Sequence, residues 1–310
     1  MDYIQEISAA INESEKQGRL IELEGVTGLS GDKLVGLLQR CAQIVMNADN
    51  ACYLELGVFQ GLTLTSVATA VPSMMCFGID NFSQFDPDGE NRSIVEQRLN
   101  KHTSGNSSLI NADFEEALLS LRQYIGDREV ALYFIDGPHD YRSQYISLDF
   151  ARQYLSNEAI VLVDDSNYEH VRRANHDWLK ANPDFALLYE AYTPSHPSNM
   201  TEDSERVVRL GWWNGINVIV RDPHTSLERI YPPVDSSRER YFNDHFVHPA
   251  RYAELAPELL NAVAAPFPLF LLKLARVLFK RKCGERFSSM NTYSKNLKTP
   301  RKAQSATEKQ

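Results

Sequence analysis

The chain has 310 residues and a net charge of −9, with 43% hydrophobic and 24% charged residues, which is ordinary for a globular protein with a sizeable core. Its four cysteines lack any paired or metal-ligand spacing, which favours a reducing compartment without disulfides or structural zinc. The N-terminus has neither a basic region nor an apolar run, so the sequence predicts a cytoplasmic protein without a secretory signal.

Charge is distributed unevenly along the chain. From Lys273 to the end, 11 lysines and arginines stand against two glutamates, which gives this tail +9 and leaves −18 for the remainder. Because an acidic body repels phosphate backbones, the charge pattern argues against nucleic acid as a partner.

The first segment, residues 1–46, is predicted to be a helical extension. Apolar residues recur at helical spacing on both sides of Ser30, which is placed to cap the second helix. We interpret this segment as a lid or as a contact in a homo-oligomer.

Residues 47–225 have the pattern of an α/β domain with a Rossmann-like sheet and helices on both faces. Short apolar runs alternate with amphipathic stretches, as in βα units that build a parallel sheet. The predicted strands are Ala51–Leu56, Met75–Ile79, Ser108–Ile110, Val130–Ile135, Ala159–Val163, Phe185–Ala191 and Ile216–Arg221. The last two of these seven strands are joined by the polar segment Tyr192–Asn214, without a predicted helix, so they are expected to pair as a hairpin.

The C-terminal part divides into an extension, residues 226–261, and a tail, residues 262–310. Within the tail, residues 268–282 form an apolar run with three basic residues on one helical face, too short and too charged to span a bilayer. Two interpretations stay open: a helix and polybasic tail peripheral on the inner, anionic membrane face, or a helix docked on protein with a disordered tail.

A turn with two glycines follows the first predicted strand. Gly57 is expected to let a ligand approach the backbone closely, and Gly61 lets the next helix pack on the strand. Between them, Val58, Phe59 and Gln60 stand where a dinucleotide site needs glycine, so the turn favours an amino-acid moiety over a diphosphate. The Glu55 carboxylate suits an ammonium group and would repel a phosphate.

The next two strands also end in acidic residues. Asp80, after the second strand, is expected to accept hydrogen bonds from ribose hydroxyls. Asp113, after the third, is expected either to bond an adenine amino group or simply to cap the following helix.

Three further carboxylates follow the fourth and fifth strands. Asp136 ends one, Asp164 and Asp165 end the other, and the carboxyl ends of neighbouring parallel strands meet at one edge. Such a cluster repels itself unless a cation binds, and oxygen ligands are those that Mg²⁺ prefers. The sequence therefore predicts a magnesium site made of Asp136, Asp164 and Asp165.

The motifs resemble those of a known enzyme class. The stretch from Leu54 to Thr63 resembles the first motif of catechol-type small-molecule O-methyltransferases, and Phe134–Tyr141 with Val161–Asp165 resembles the macrocin O-methyltransferase and cephalosporin-hydroxylase-like group. The likeness covers roughly residues 50 to 170. It implies a class I S-adenosylmethionine-dependent methyltransferase, with Thr63 at the cofactor carboxylate, Asp136 near the cofactor, and metal ligands at the strand ends.

Methyl transfer to a hydroxyl needs a base, and His139 is the candidate. A metal acidifies a coordinated hydroxyl and a nearby imidazole removes the proton. His139 departs from the lysine of the catechol-type enzymes but agrees with the Asp-Gly-x-His pattern of the macrocin-like group; capping its helix or binding the metal are the alternatives.

Three functions follow from these residues. The leading one is a magnesium-dependent O-methyltransferase acting on a small molecule or glycan, whose acceptor wall is the loop carrying His196, Trp212, Trp213 and Asn214. The second is a metal-independent methyltransferase that uses His139 as the base and methylates an oxygen or a nitrogen. A third is a non-catalytic nucleotide-binding scaffold at a membrane.

Overall fold

The computed structural model describes residues 3–234 and Leu271. Most of the extension 226–261 and the tail 262–310, including the segment 268–282, therefore lie outside the described residues. Among the helices that are described, none is both long enough and apolar enough to cross a membrane.

The described chain opens with two helices and then alternates strands and helices. The elements are α1 (Tyr3–Gln17), α2 (Asp32–Val45), β1 (Ala51–Leu56), α3 (Leu62–Ala70), β2 (Met75–Ile79), α4 (Asn91–His102), β3 (Ser107–Ile110), α5 (Phe114–Leu119), α6 (Arg122–Ile125), β4 (Glu129–Ile135), α7 (Tyr141–Ala151), β5 (Leu155–Val163), α8 (Glu169–Ala181), β6 (Phe185–Ala191), α9 (Glu202–Arg209) and β7 (Ile216–Arg221).

The strands form one seven-stranded sheet in the order β3-β2-β1-β4-β5-β7-β6. Neighbours from β3 to β5 run parallel, whereas β7 is antiparallel to both β5 and β6. This confirms the predicted Rossmann-like methyltransferase sheet with its terminal hairpin. Because the strand order reverses between β1 and β4, a crevice opens beyond the carboxyl ends of these strands, where open α/β sheets bind ligands.

Two apolar layers cover the sheet, one on each face. The first contains α1, α2, α3 and α4, and the second contains α5, α6, α7 and α8. The N-terminal extension is therefore part of the core: the Glu15 carboxylate accepts hydrogen bonds from the Tyr189 hydroxyl at 2.6 Å and from the Trp212 indole N–H at 3.0 Å.

The start of α2 differs from the prediction. Ser30 does not cap it; the N-cap is Gly31, without a side-chain bond, and the Gly211 carbonyl accepts from the N–H of Lys33 at 3.1 Å. A Cβ on Gly31 would lie 2.2 Å from that carbonyl oxygen. A backbone carbonyl from the β6–β7 connection thus replaces the cap side chain, which local sequence cannot reveal.

The β6–β7 connection also differs, because it contains α9. Thr201 caps this helix by accepting from the N–H of Ser204, and Glu205 pairs with Arg209 one turn later at 2.8 Å. A capping threonine followed by an acidic first turn is a helix-start signal, so this helix could have been predicted from the residues themselves.

Glu55 ties the end of β1 to the start of α3. It is fully buried, and its two oxygens accept from the hydroxyls of Tyr53 and Thr63, with a further bond from the N–H of Leu64. Burial raises the pKa of Glu55 to about 8, against the lowering effect of these hydrogen bonds. The Glu55 carboxyl group therefore stabilises the turn from within the core, without lining the cavity.

Replacing Glu55 by Gln tests this buried carboxyl. Its pKa is raised in the folded protein, so it contributes stability below pH 4.5 that is lost as the pH rises towards 8. We expect the Tm of Glu55→Gln relative to wild type to increase across this interval, measured by thermal melts at stepped pH. Two Tm curves that stay parallel would contradict the assignment.

Candidate functional site

A cavity of about 680 Å³ lies beyond the carboxyl ends of β1, β2, β4 and β5, within the usual size range of small-molecule sites. Of the residues predicted from sequence, seven line it: Gly57, Phe59, Asp80, Asp113, Asp136, His139 and Asp165. Glu55, Gly61, Thr63 and Asp164 are not among its lining residues. From the predicted acceptor loop, His196 and Trp213 line it, whereas Trp212 and Asn214 do not.

The two glycines of the turn both have a positive φ, and packing also excludes a Cβ at Gly57. Gly57 has φ +85°, and a Cβ there would lie 1.9 Å from the carbonyl oxygen of Asp136 on the neighbouring strand. Gly61, with φ +78°, is the N-cap of α3, where a Cβ would lie 3.3 Å from Val95. The close approach at Gly57 is thus to another strand end, a tertiary contact that the motif did not reveal.

The Asp80 carboxylate accepts hydrogen bonds from the backbone N–H groups of this turn. One carboxylate oxygen accepts from the N–H groups of Val58 at 2.8 Å and Phe59 at 2.9 Å, and the other accepts from the N–H of Phe82 at 2.7 Å. An anion is therefore already bound where a dinucleotide site would offer these N–H groups to a diphosphate.

Asp113 has the predicted capping interaction. Its carboxylate accepts from the N–H of Glu115 at 2.9 Å at the start of α5, and the residue also lines the cavity. The bond to an adenine amino group stays a prediction, because a carboxylate can accept more than one hydrogen bond.

Asp136, His139 and Asp165 converge at the cavity. One ligand atom from each lies within 4.8 Å of the other two. His139 Nε2 lies in close contact with a carboxylate oxygen of Asp165, and the His139 ring stacks on Tyr168 with centroids 4.9 Å apart. Asp165 therefore orients the imidazole at its Nε2 edge, and Tyr168 orients it by stacking on its face.

Asp164 is not part of this group of three and does not line the cavity. One carboxylate oxygen accepts from the N–H of Asp165 at 2.8 Å, and the other is buried without a hydrogen-bond partner among the described residues. Asp165 has φ +55°, and this left-handed backbone sends the second of the two adjacent acids to the cavity. Of the three predicted metal ligands, Asp136 and Asp165 line the cavity together with His139, and metal binding by the three acids stays a prediction.

The pKa values of these acids move in opposite directions. Burial, and then the charges of Asp164 and Asp165, raise the pKa of Asp136 well above its usual range; burial and the charge of Asp165 do the same to Asp164. Burial would also raise that of Asp165, but His139 and Asn214 outweigh it and hold its pKa at about 2. Asp165 is the ionised partner of the histidine.

Sequence reasoning missed Tyr168 at this site, and it missed the contact that Asn214 makes with Asp165. Tyr168 lies between two imidazoles, with its ring centroid 5.9 Å from that of His196, and Asn214 donates from Nδ2 to Asp165. The sequence placed Asn214 in the acceptor wall because no local pattern shows which buried group it meets.

Comparison with protein families finds one matching profile, described as a methyltransferase domain, over residues 54–166. The match runs from β1 to the residue after Asp165. A search of curated protein sequences finds no match.

Solved structures give further likenesses at low identity. The O-methyltransferase TomG from Streptomyces achromogenes, involved in tomaymycin synthesis and solved with S-adenosylmethionine, is 14% identical, with a TM-score of 0.48 over 72% of this chain and 99% of that chain. An O-methyltransferase from Bacillus cereus in complex with S-adenosylhomocysteine is 10% identical, with a TM-score of 0.46 over 72% of this chain and 91% of that one.

The domain match and the strand order are independent observations that overlap from β1 to β5. One comes from sequence and covers residues 54–166, and the other comes from the hydrogen bonding of the seven strands. Residues 54–166 therefore match a methyltransferase domain, and they lie on the Rossmann-like sheet that the sequence predicted.

Proposed function

We propose that this enzyme is a magnesium-dependent O-methyltransferase that acts on a hydroxyl group of a small molecule or a glycan. The observation that carries the proposal is the convergence of Asp136, His139 and Asp165, whose ligand atoms lie within 4.8 Å of one another at the cavity. The resemblance of residues 134–141 to the macrocin-like group supports the same assignment.

The charge of the cavity suits the cofactor. Acidic side chains outnumber basic ones in its lining, with Asp80, Asp113, Asp136, Asp165 and Glu205 against Arg209, and an acidic cleft attracts a cation and disfavours a diphosphate. Bound S-adenosylmethionine supplies a methyl group on a positively charged sulfur. Phe59, at the turn with φ +51°, presents its side chain to the same space.

The donor set also suits a hard divalent cation. Asp136 and Asp165 offer carboxylate oxygens, and Mg²⁺ in proteins is commonly held by one or two carboxylates together with waters. A bound cation supplies acidification and orientation of the acceptor hydroxyl. A cation there would also offset the burial and the neighbouring charges that raise the pKa of Asp136.

His139 then takes the proton that the acceptor hydroxyl loses. The Asp165 carboxylate faces Nε2, so it fixes the direction of the ring and stabilises the imidazolium that forms. Tyr168, stacked on the ring, excludes water from one side.

The direct contact between His139 and Asp165 favours a second candidate. An imidazole paired with a carboxylate can act as a base without a metal, on an oxygen or on a nitrogen. Metal dependence of turnover separates the two candidates.

Titration calorimetry tests the cofactor. We expect S-adenosylmethionine to bind and NAD to give no heat. Asp80 is expected to accept hydrogen bonds from the ribose hydroxyls of the cofactor, and a hydrogen bond to a charged group contributes roughly 1.5–3 kcal/mol. Asp80→Asn should therefore weaken S-adenosylmethionine binding about tenfold or more. Asp127→Asn, on the surface away from the cavity, is the control. NAD binding more tightly than S-adenosylmethionine would contradict the assignment.

Metal removal tests the cation. With phenols and glycosides as acceptor probes, release of S-adenosylhomocysteine is expected to stop in EDTA and to return with added Mg²⁺. Asp136→Asn should remove the response to Mg²⁺, whereas Asp149→Asn, on an exposed position of α7, should retain it. Undiminished turnover in EDTA would decide for the metal-independent candidate.

Replacement of His139 by Ala tests the base. General-base catalysis contributes about 10²–10⁴ in rate, so kcat should fall by that factor while the Kd for S-adenosylmethionine stays near the wild-type value. His176→Ala is the matched control, because His176 lies on α8 and does not line the cavity. A His139→Ala variant with wild-type kcat would remove the histidine from the mechanism.

A further inference from the structure

We propose that Asn214 is a positioning residue that holds the Asp165 carboxylate against His139. Asn214 is fully buried and is not among the residues lining the cavity. Its Nδ2 donates to one oxygen of Asp165, and the other oxygen of Asp165 faces His139 Nε2. One carboxylate therefore bridges a buried amide and the imidazole, an inference that rests on the proposed role of His139.

The backbone and the carboxylate of Asp165 are held by different groups. Its φ of +55° lies in the left-handed region, which a residue with a Cβ rarely adopts. Its N–H donates to the Asp164 carboxylate at 2.8 Å and its carbonyl accepts from the N–H of Tyr168 at 2.9 Å. These bonds hold the backbone, while Asn214 and His139 set the direction of the carboxylate.

Asn214 is itself held rigidly against the loop after β5. The backbone carbonyl of Asn214 accepts a hydrogen bond from the N–H of Asn167 at 2.9 Å, and the backbone carbonyl of Gly215 accepts one from the N–H of Ser166 at 3.3 Å. Gly215 has φ +88°, and a Cβ there would lie 2.7 Å from the side-chain oxygen of Asn167. The two loops therefore touch through their backbones, which leaves little freedom for the amide.

The N-terminal helices anchor the same segment from the other side. Gly211 accepts from the N–H of Lys33 at 3.1 Å, and the Trp212 indole donates to Glu15 at 3.0 Å. The amide of Asn214 is thus placed by rigid elements, as positioning of a reactive group requires.

Chemistry also favours an amide at this place. A neutral donor satisfies one oxygen of Asp165 without neutralising the carboxylate that His139 needs. Asn214→Ala removes the donor and leaves a space, whereas Asn214→Asp keeps the size but places a second carboxylate beside the first. Both variants should release Asp165 from His139.

Imidazole proton NMR tests the contact directly in metal-free enzyme. A strongly hydrogen-bonded Nε2 proton of His139, assigned with His139→Gln, should resonate at low field in wild type and disappear or move in both Asn214 variants. The matched control is Asn217→Ala: Asn217 is fully buried nearby, but its amide donates to the Tyr192 hydroxyl at 3.3 Å and its oxygen accepts from Asn175 at 2.9 Å. The control should keep the resonance.

Turnover of the phenol and glycoside probes is the second measurement that tests the role of Asn214. Misplacement of a catalytic group by about 1 Å can cost 10² in rate, so kcat of Asn214→Ala should fall by about that factor, with acceptor KM and the Kd for S-adenosylmethionine within about twofold of wild type. An unchanged resonance or kcat in Asn214→Ala, or equal losses in Asn217→Ala, would overturn the proposal. A wild type that shows the resonance but methylates no probe would count against the proposed function and not against the contact.

Discussion

Five carboxyl groups crowd the edge where β1, β2, β4 and β5 end, because parallel strands bring their carboxyl ends to one side of the sheet. Glu55 is satisfied by hydroxyls and Asp80 by backbone N–H groups. Asp165 has an imidazole and an amide. Burial and neighbouring charge leave Asp136 and Asp164 with raised pKa values. The edge is therefore built for positive charge, which a sulfonium cofactor and a divalent cation both carry.

Backbone strain is concentrated around the same cavity. Phe59, Phe85, Asp165 and Trp213 all line it, and all have φ between 51° and 55° although none is glycine. Such conformations cost of order 1–3 kcal/mol each and persist where the surrounding structure determines them. At Asp165 the surrounding contacts are the Asp164 carboxylate and the Asn214 amide. The shape of the site thus depends on packing by segments distant in sequence, among them the N-terminal helices that hold Gly211 and Trp212.

How much could be predicted from sequence depended on whether a feature is local. The buried apolar runs predicted all seven strands, because a strand covered on both faces reads as a continuous hydrophobic segment. Asp136, His139 and Asp165 could be placed at one edge because strand ends converge. The sequence could not show which of the adjacent residues Asp164 and Asp165 faces the cavity. That depends on the left-handed φ of Asp165, a backbone conformation that the residue types do not predict. The cap of α2 by Gly211 and the bond from Asn214 join positions about 180 and 49 residues apart, and neither leaves a local pattern.

In the proposed function, the acidic strand ends hold a cation beside the cofactor. This can be tested with a crystal of the enzyme grown with S-adenosylhomocysteine and Mn²⁺, in which manganese is located by its anomalous scattering. We expect one strong anomalous peak in the cavity within bonding distance of Asp136 and Asp165 carboxylate oxygens, next to the cofactor sulfur. Cofactor density without an anomalous peak at these carboxylates would contradict the account.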